Sequence, residues 1–290
     1  MPATSAVPPA TRLDPKTDQY GSYISQDAGI VIGCCSRSGS SLFRVMLDSH
    51  PKFAVGQGSR IFVETPDPQR LVNNFGVTRE YVDELLATSQ DQAHFIERFM
   101  RGLAQREDKP IWGDKAPPNI YYIPYIFEHF PNARFIHIIR DGRDVVCSLR
   151  THPKFKYENG RTIELNTWKP IENCITSWVN YTRKGLAARG QAGYYEVHYE
   201  DLVQQPEQTM RKVVEFLGEE WDDRVLRYHE LDSTTRDFTA MPVSADAVEP
   251  ISHKALARWQ RDMTDEDKQI FKDKAGDLLI ELGYATDNDW

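Results

Sequence analysis

Residues 30–48 read Ile-Val-Ile-Gly-Cys-Cys-Ser-Arg-Ser-Gly-Ser-Ser-Leu-Phe-Arg-Val-Met-Leu-Asp, an apolar run that breaks into small polar residues and resumes with helical spacing. That pattern is a strand, a tight loop and a helix start. Amides at a helix start lack intrahelical partners and point along the positive end of the helix dipole, so Ser36 to Ser41 offer a place for a phosphate-like oxyanion. Arg37 adds a full positive charge. Gly33 and Gly39 remove side chains where the chain turns and where an anion would approach the backbone. The loop departs from the Walker A pattern Gly-x4-Gly-Lys-Ser/Thr, because five residues separate Gly33 from Gly39 and Ser40 stands at the lysine's place. A plain strand-to-helix turn would use the same small residues, so a second anion-reading element is needed to decide between the two.

The 290 residues suit one large α/β domain. Hydrophobic residues are 40% and charged residues 27%, an ordinary soluble composition. No run nears the ~18 apolar residues of a membrane span, and the N-terminus lacks the charged start and apolar core of a signal peptide. The expectation is a cytoplasmic protein with no membrane partner. A net charge of −8 argues against a general nucleic-acid binder, which would carry a basic face. Cys34, Cys35, Cys147 and Cys174 form no C-x-x-C pair and read as reduced, buried residues. The sequence carries no sign of oligomeric state.

Residues 1–27 hold four prolines and no apolar periodicity, so they read as a disordered or loosely attached leader to a domain over 28–290. After the first helix, Pro51 disfavours helix at His50, and a loop runs through Gly56, Gly58, Pro66 and Pro68. Residues 78–87 and 91–105 carry apolar residues at helical spacing and form a hairpin of helices. A short strand over 111–115 stops at Pro117 and Pro118, and a helix follows over 120–130. The strand 134–140 is apolar enough for burial on both faces, and Asp141 caps the helix after it. A helix over 168–189, a strand over 194–199 and a helix over 206–217 continue the alternation. Thr264 caps a last helix with an acidic first turn. The fold class is therefore α/β, a single domain with a central parallel sheet flanked by helices.

Arg140 to Ser148 repeats the strand-then-helix design. Arg140 ends a buried strand and Ser148 lies two helical turns on, at the kind of strand-end crevice where α/β folds bind nucleotides. Arg143 and Asp144 read as capping and surface pairs. At this point a resemblance takes shape. Arg37-Ser-Gly-Ser-Ser-Leu42 resembles the 5′-phosphosulfate loop of sulfotransferases, and Arg140 with Ser148 resembles their 3′-phosphate motif. The tyrosylprotein-type and related bacterial enzymes look closest, from Arg37 through Pro51. Asp114-Lys-Ala-Pro117, Tyr199-Glu-Asp-Leu202 and Leu256-Ala-Arg-Trp259 look like further landmarks in the same order, so the resemblance spans roughly residues 29–265.

The resemblance implies the P-loop-like sulfotransferase fold and transfer of a sulfuryl group from 3′-phosphoadenosine 5′-phosphosulfate (PAPS), with adenosine 3′,5′-bisphosphate (PAP) as product. It implies that Arg37 and the backbone of Ser38, Gly39, Ser40, Ser41 and Leu42 hold the 5′-phosphosulfate. It implies that Lys115 stabilises the leaving oxygen, that Arg140 and Ser148 bind the 3′-phosphate, and that Tyr199 contacts the adenine side. Nothing in this scheme requires a metal. Lys115 has a bland rival reading as an exposed strand-end lysine, Tyr199 as a core tyrosine, and Trp259 reads as packing. Arg258 is a further phosphate candidate.

A general base is expected for the acceptor proton. In the tyrosylprotein-type enzymes it looks to be a glutamate of a Gly-Glu-Glu-Thr-Arg segment, and the matching stretch here is Gly56-Gln-Gly-Ser-Arg60, with both acidic positions lost. Glu64 and Asp114 are the replacements, although neighbours on a strand face opposite ways and Asp114 adjoins Lys115. His50, His137 and His152 stand behind them, His50 as a structural residue and His137 as a core one. The acceptor is expected to be a small molecule, as in secondary metabolism, or a glycan, met by loops at 52–76, 150–167 and 232–250. The rival readings are a P-loop nucleotide or small-molecule kinase, against which the missing Walker lysine speaks, and a nucleotide-binding protein of the same fold without turnover.

Overall fold

Ile30–Cys34 (β1) is the central strand of a five-stranded parallel sheet. Its neighbours are Ile111–Lys115 (β3) and Arg134–Ile139 (β4), and Phe53–Gln57 (β2) and Tyr194–His198 (β7) form the edges, in the order β2-β3-β1-β4-β7. The structure is a computed structural model that describes residues 21–151, 154–158, 161–165, 169–230 and 247–290, with backbone alone for residue 57 and for 154–158 and 161–165. Every residue of β1 is buried, which fits a strand covered on both faces.

Strand alternation sorts the side chains into two layers. Ile30, Ile32 and Cys34 share one face with Phe53, Val55, Ile136 and Ile138. That face is covered by Ser40–Asp48 (α1), through Phe43, Met46 and Leu47, and by Pro206–Phe216 (α9), through Met210, Val213 and Val214. Val31, Ala54, Trp112 and Phe135 point the other way. They meet Arg79–Thr88 (α3), Gln92–Arg106 (α4) and Ile123–His129 (α5), with Phe95, Phe99 and Ile126 fully buried. A third cluster forms around Trp178, where Gly142–Thr151 (α6), Ile171–Leu186 (α7) and Asp265–Glu281 (α11) pack beyond the end of β4.

The fold class follows the expectation, with local departures that have physical causes. The stretch 52–76, expected as loop, contains β2 and Pro68–Phe75 (α2). Pro68 starts that helix at its first position, where a missing N–H costs nothing, and Asp67 caps it by accepting from the amides of Gln69 and Arg70. Residues 120–130 begin one turn earlier, as a 3-10 turn over Pro117–Tyr122 that leads into α5. Backbone pairing joins Lys154–Glu158 (β5) to Arg161–Leu165 (β6) as an antiparallel hairpin inside an expected loop. Tyr199 opens the helix Tyr199–Gln204 (α8) instead of ending β7.

Residues 21–27, expected to lie outside the fold, are packed. The Tyr23 hydroxyl donates to Glu97 at 2.9 Å, the Ser25 amide donates to the His129 carbonyl at 2.7 Å, and Asp27 accepts from Trp112 Nε1 at 3.1 Å. The remainder of that leader, His152, and most of the loop 232–250 lie outside the described residues.

α11 starts under Thr264, as the sequence suggests, and Asp267 completes a reciprocal capping box and also pairs with Arg150 of α6 at 2.7 Å. Thr264→Ala should lower the unfolding free energy by about 1 kcal/mol in urea titration. An unchanged midpoint would show that the cap does not hold this helix.

Candidate functional site

Three strand–helix junctions of the sheet, after β1, β4 and β7, converge on one crevice, and Lys115 at the end of β3 is not among the residues that line it. The loop after β1 reaches α1 through Arg37 at φ 75° and Gly39 at φ 84°, both in the left-handed region. A glycine is needed at 39 for a second reason: a Cβ there would lie 2.1 Å from the Tyr199 ring. Gly39 has no side chain with which to cap α1, and no acidic residue occupies the first turn. The amides of Ser40, Ser41 and Leu42 therefore keep their capacity to donate to an anion.

The two ends of the crevice are tied together. Arg37 Nε donates to Ser148 Oγ at 3.0 Å, and Arg140 donates to the Arg37 carbonyl at 2.9 Å and to the carbonyl of Ala255. The Arg140 guanidinium lies 4.6 Å from the centre of the Tyr199 ring, and Asp144 stands 3.6 Å away as its countercharge. Arg140 Nε is buried with no hydrogen-bond partner. A cleft of about 660 Å³ has Arg37, Ser40, Leu42, Arg140, Ser148 and Tyr199 in its wall, within the ~300–1,000 Å³ of small-molecule sites. Its far side carries Glu249, Ser252, Lys254 and Arg258, of which the sequence suggested Arg258 alone.

Lys115 closes β3 on the α1 face, one residue on from Asp114 on the opposite face. It is 8% exposed, and among the described residues its ammonium makes no hydrogen bond or ion pair. Burial, with the charge of fully buried Arg44 on α1 adding to it, pulls its pKa down to about 8. Lys115 is therefore a sheltered cation beside the donor-type loop and no exposed strand-end lysine.

The two candidate bases are placed differently from the expectation. Asp114 is 0% exposed, its carboxylate accepting from the Ser59 hydroxyl at 2.6 Å, the Ser59 amide at 3.1 Å and Asn119 Nδ2 at 2.9 Å. Strand alternation turns it away from the crevice, so it has no path to an acceptor proton. Glu64 is accessible but is clasped by Arg60 and by Arg70 at 2.6 Å. Burial pushes its carboxyl upward, the two guanidiniums outweigh that, and the net pKa is lowered, which makes it a weak base. His50 bonds the Glu220 carbonyl and the Lys52 amide and stacks on Phe53, a structural role. His137 is a core residue on Tyr194, and burial drops its pKa to about 3.

Arg143 and Asp144 are buried, where surface pairs were expected. Arg143 forks onto Asp141, donates to the Tyr284 carbonyl, and lies 4.0 Å from the Trp259 ring centre and 4.6 Å from that of Trp290. Asp144 accepts the Trp259 amide at 3.0 Å. Together they fasten the segment carrying Ala255 and Arg258 against the cleft. No sequence signal marked Ser59 or Asn119; Arg44 was visible as a charge between Phe43 and Met46 on an otherwise apolar helix face.

The residues present fit an anionic nucleotide, because Arg140 Nε is a buried cationic donor with no hydrogen-bond partner and Lys115, 8% exposed, makes no hydrogen bond or ion pair among the described residues. A sulfotransferase family model matches residues 29–223. Protein-tyrosine sulfotransferase A of Caenorhabditis elegans is 29% identical over 269 residues, which cover 88% of this chain and 67% of that protein. Among solved structures, the sulfotransferase domain from the Synechococcus PCC 7002 olefin synthase superposes with a TM-score of 0.64 at 18% identity, covering 88% of this chain and 97% of that one. Mouse sulfotransferase SULT7A1 complexed with PAP gives 0.56 at 12% identity over 90% of each chain.

The cytoplasmic expectation is overturned by the curated relatives, which are protein-tyrosine sulfotransferases and whose relationship to this chain outweighs an argument made from missing hydropathy signals. Among the described residues no helix is long and apolar enough to cross a membrane.

The low pKa of Lys115 has a sign that can be measured. In the unfolded chain the group titrates near 10.5, so between pH 8 and 10.5 the unfolded state binds the extra proton and stability rises with pH. Below pH 8 the buried charge costs on the order of 3 kcal/mol. Lys115→Met should stabilise the ligand-free protein at pH 7 by up to that amount, with the gain fading by pH 10.5. No gain in calorimetry would mean that the ammonium is solvated.

Proposed function

Because the chain belongs to the sulfotransferase family and is a PAPS-dependent transferase, we propose that it moves a sulfuryl group to a hydroxyl or amine of a small-molecule or glycan acceptor. The observation that carries the donor half is Lys115, a buried ammonium with no partner among the described residues, at the end of the strand beside the anion loop. When bound, PAPS supplies the activated sulfuryl group. Arg37 and the amides from Ser38 to Leu42 hold the phosphosulfate end, and Arg140 with Ser148 holds the 3′-phosphate. Tyr199, fixed between Gly39 and Arg140, lies along the adenine side. Lys115 neutralises charge on the bridging oxygen, the place where negative charge grows as the bond to sulfur breaks.

On the acceptor side, Asp114 is sealed and Glu64 is held ionised by two arginines, so neither is assigned as a base. Gly58 replaces an acidic residue of the resembling enzymes and gives its amide to the Lys115 carbonyl at 2.8 Å. With no base assigned among the described residues, this favours acceptors that need little help from one, a neutral amine attacking through its lone pair or an acidic hydroxyl. A protein tyrosine is the second reading, supported by what the curated relatives are named for.

PAP without magnesium should raise the melting temperature, by the equivalent of about 2.7 kcal/mol at a hundred times its dissociation constant. Arg140→Ala should weaken PAP binding at least tenfold. Lys115→Ala should bind PAP within about twofold of the parent yet lose turnover by two orders of magnitude or more, with acceptors found by screening for the mass gain of one sulfuryl group. Stabilisation by ATP with magnesium alone, or full turnover in Lys115→Ala, would overturn the assignment.

A further inference from the structure

Asp114 is a fully buried carboxylate whose two oxygens are both hydrogen-bonded, immediately beside the one residue on which the donor half of the proposed reaction turns. Burying an ionised carboxylate is costly unless it is bonded on every side, and here three donors meet it. Each comes from a segment that must stay in register for Lys115 to stand where it does.

Ser59 belongs to the turn after β2. Its hydroxyl donates to Asp114 and accepts the amide of Ile61 at 3.0 Å, while the amide of neighbouring Gly58 donates to the Lys115 carbonyl. Asn119 belongs to the 3-10 turn after β3, and its Nδ2 donates both to Asp114 and to the carbonyl of Ile32 on β1 at 3.2 Å. Ile32 is the residue opposite Lys115 in the β1–β3 register. One carboxylate thus joins the ends of β1, β2 and β3 around Lys115. The turn it fixes continues into Arg60 at φ 57°, a conformation an arginine holds only when its surroundings impose it.

We propose that Asp114 is the positioning residue of Lys115, locking the three strand ends through Ser59 and Asn119 and setting a fixed negative charge behind the ammonium. The charged and titratable groups facing Lys115 are Arg44 from α1, Cys34 from β1 and Asp114 from its own strand. Arg44 disfavours the protonated lysine, and Asp114 favours it. Cys34 and then Asp114 offset a part of what burial and Arg44 take from the ammonium's charge, and burial raises the pKa of Asp114 itself.

This rests on Lys115 standing at the leaving oxygen, and the test separates the two. Lys115 is titrated by NMR in ligand-free protein labelled with ¹³C at lysine Cε, its signal identified by its loss in Lys115→Met. PAP affinity is measured by calorimetry, and turnover with the screened acceptor. In Asp114→Asn the Lys115 pKa should fall by at least half a unit and turnover by tenfold or more, while PAP affinity stays within about twofold. Ser59→Ala keeps the carboxylate but removes its shortest bond. It should lower turnover at least threefold with PAP affinity unchanged, and it decides the matter if Asp114→Asn does not fold. An unmoved Lys115 pKa with parental turnover in a folded Asp114→Asn protein overturns the inference. So does PAP affinity falling in step with turnover in either variant, since a general structural hub would do that. If Lys115→Ala itself keeps turnover, the donor-site reading fails first, whatever Asp114 does.

Discussion

A cation held inside a protein with no hydrogen bond or ion pair to an anion is costly unless something outside the protein completes it. Lys115 is in that position, and the architecture around it follows from the period of a β-strand. Alternation along β3 sends Lys115 toward α1 and the donor-type loop and sends Asp114 toward the opposite layer, although the two are adjacent in sequence. Had the register slipped by one residue, a carboxylate would stand in place of the lysine on the α1 face, beside the loop proposed to hold the phosphosulfate, and would repel it. The bonds from Asp114 to Ser59 and Asn119 oppose such a slip.

The nucleotide side is built on a different economy. Arg37, Ser148 and Arg140 already touch one another, and Arg140 leans on Tyr199 and on the Ala255 carbonyl. Cationic groups preformed on hydroxyl and carbonyl partners, with Asp144 as the countercharge of Arg140, lose little conformational freedom when an anion binds them. The Arg143–Asp144 network behind them carries this order outward, to Trp259 and Trp290 at the C-terminal end.

Much of this was legible in the sequence because it rests on local patterns. The apolar run of β1, the small residues after it, and Arg140 eight positions before Ser148 identify their surroundings without knowledge of the rest of the chain. What was not legible depends on contacts between distant segments. β2 is an edge strand whose Gly56 and Gly58 imitate a loop, and its pairing to β3 is visible only in the sheet. Asp114 carries the residue type of a base, and only its bonds to Ser59 and Asn119 show that it is sealed. Glu64 fails for a similar reason: its position is open, but Arg70 and Arg60 reach it from either side. Arg143 and Asp144 read as surface charges because the aromatic residues that bury them lie more than a hundred positions away.

Each residue proposed for the donor side stands where a strand hands over to a helix or turn: Arg37 after β1, Lys115 at the end of β3, Arg140 after β4, Tyr199 after β7. Such junctions are fixed by the sheet and its packed helices, whereas the long segments between them can be exchanged without moving the sheet. The chain is thereby divided into a conserved-by-geometry half and a free half. Descendants of one ancestor could diverge widely in what they sulfate while their handling of the nucleotide stays the same, since change in the connecting segments leaves the four junctions untouched.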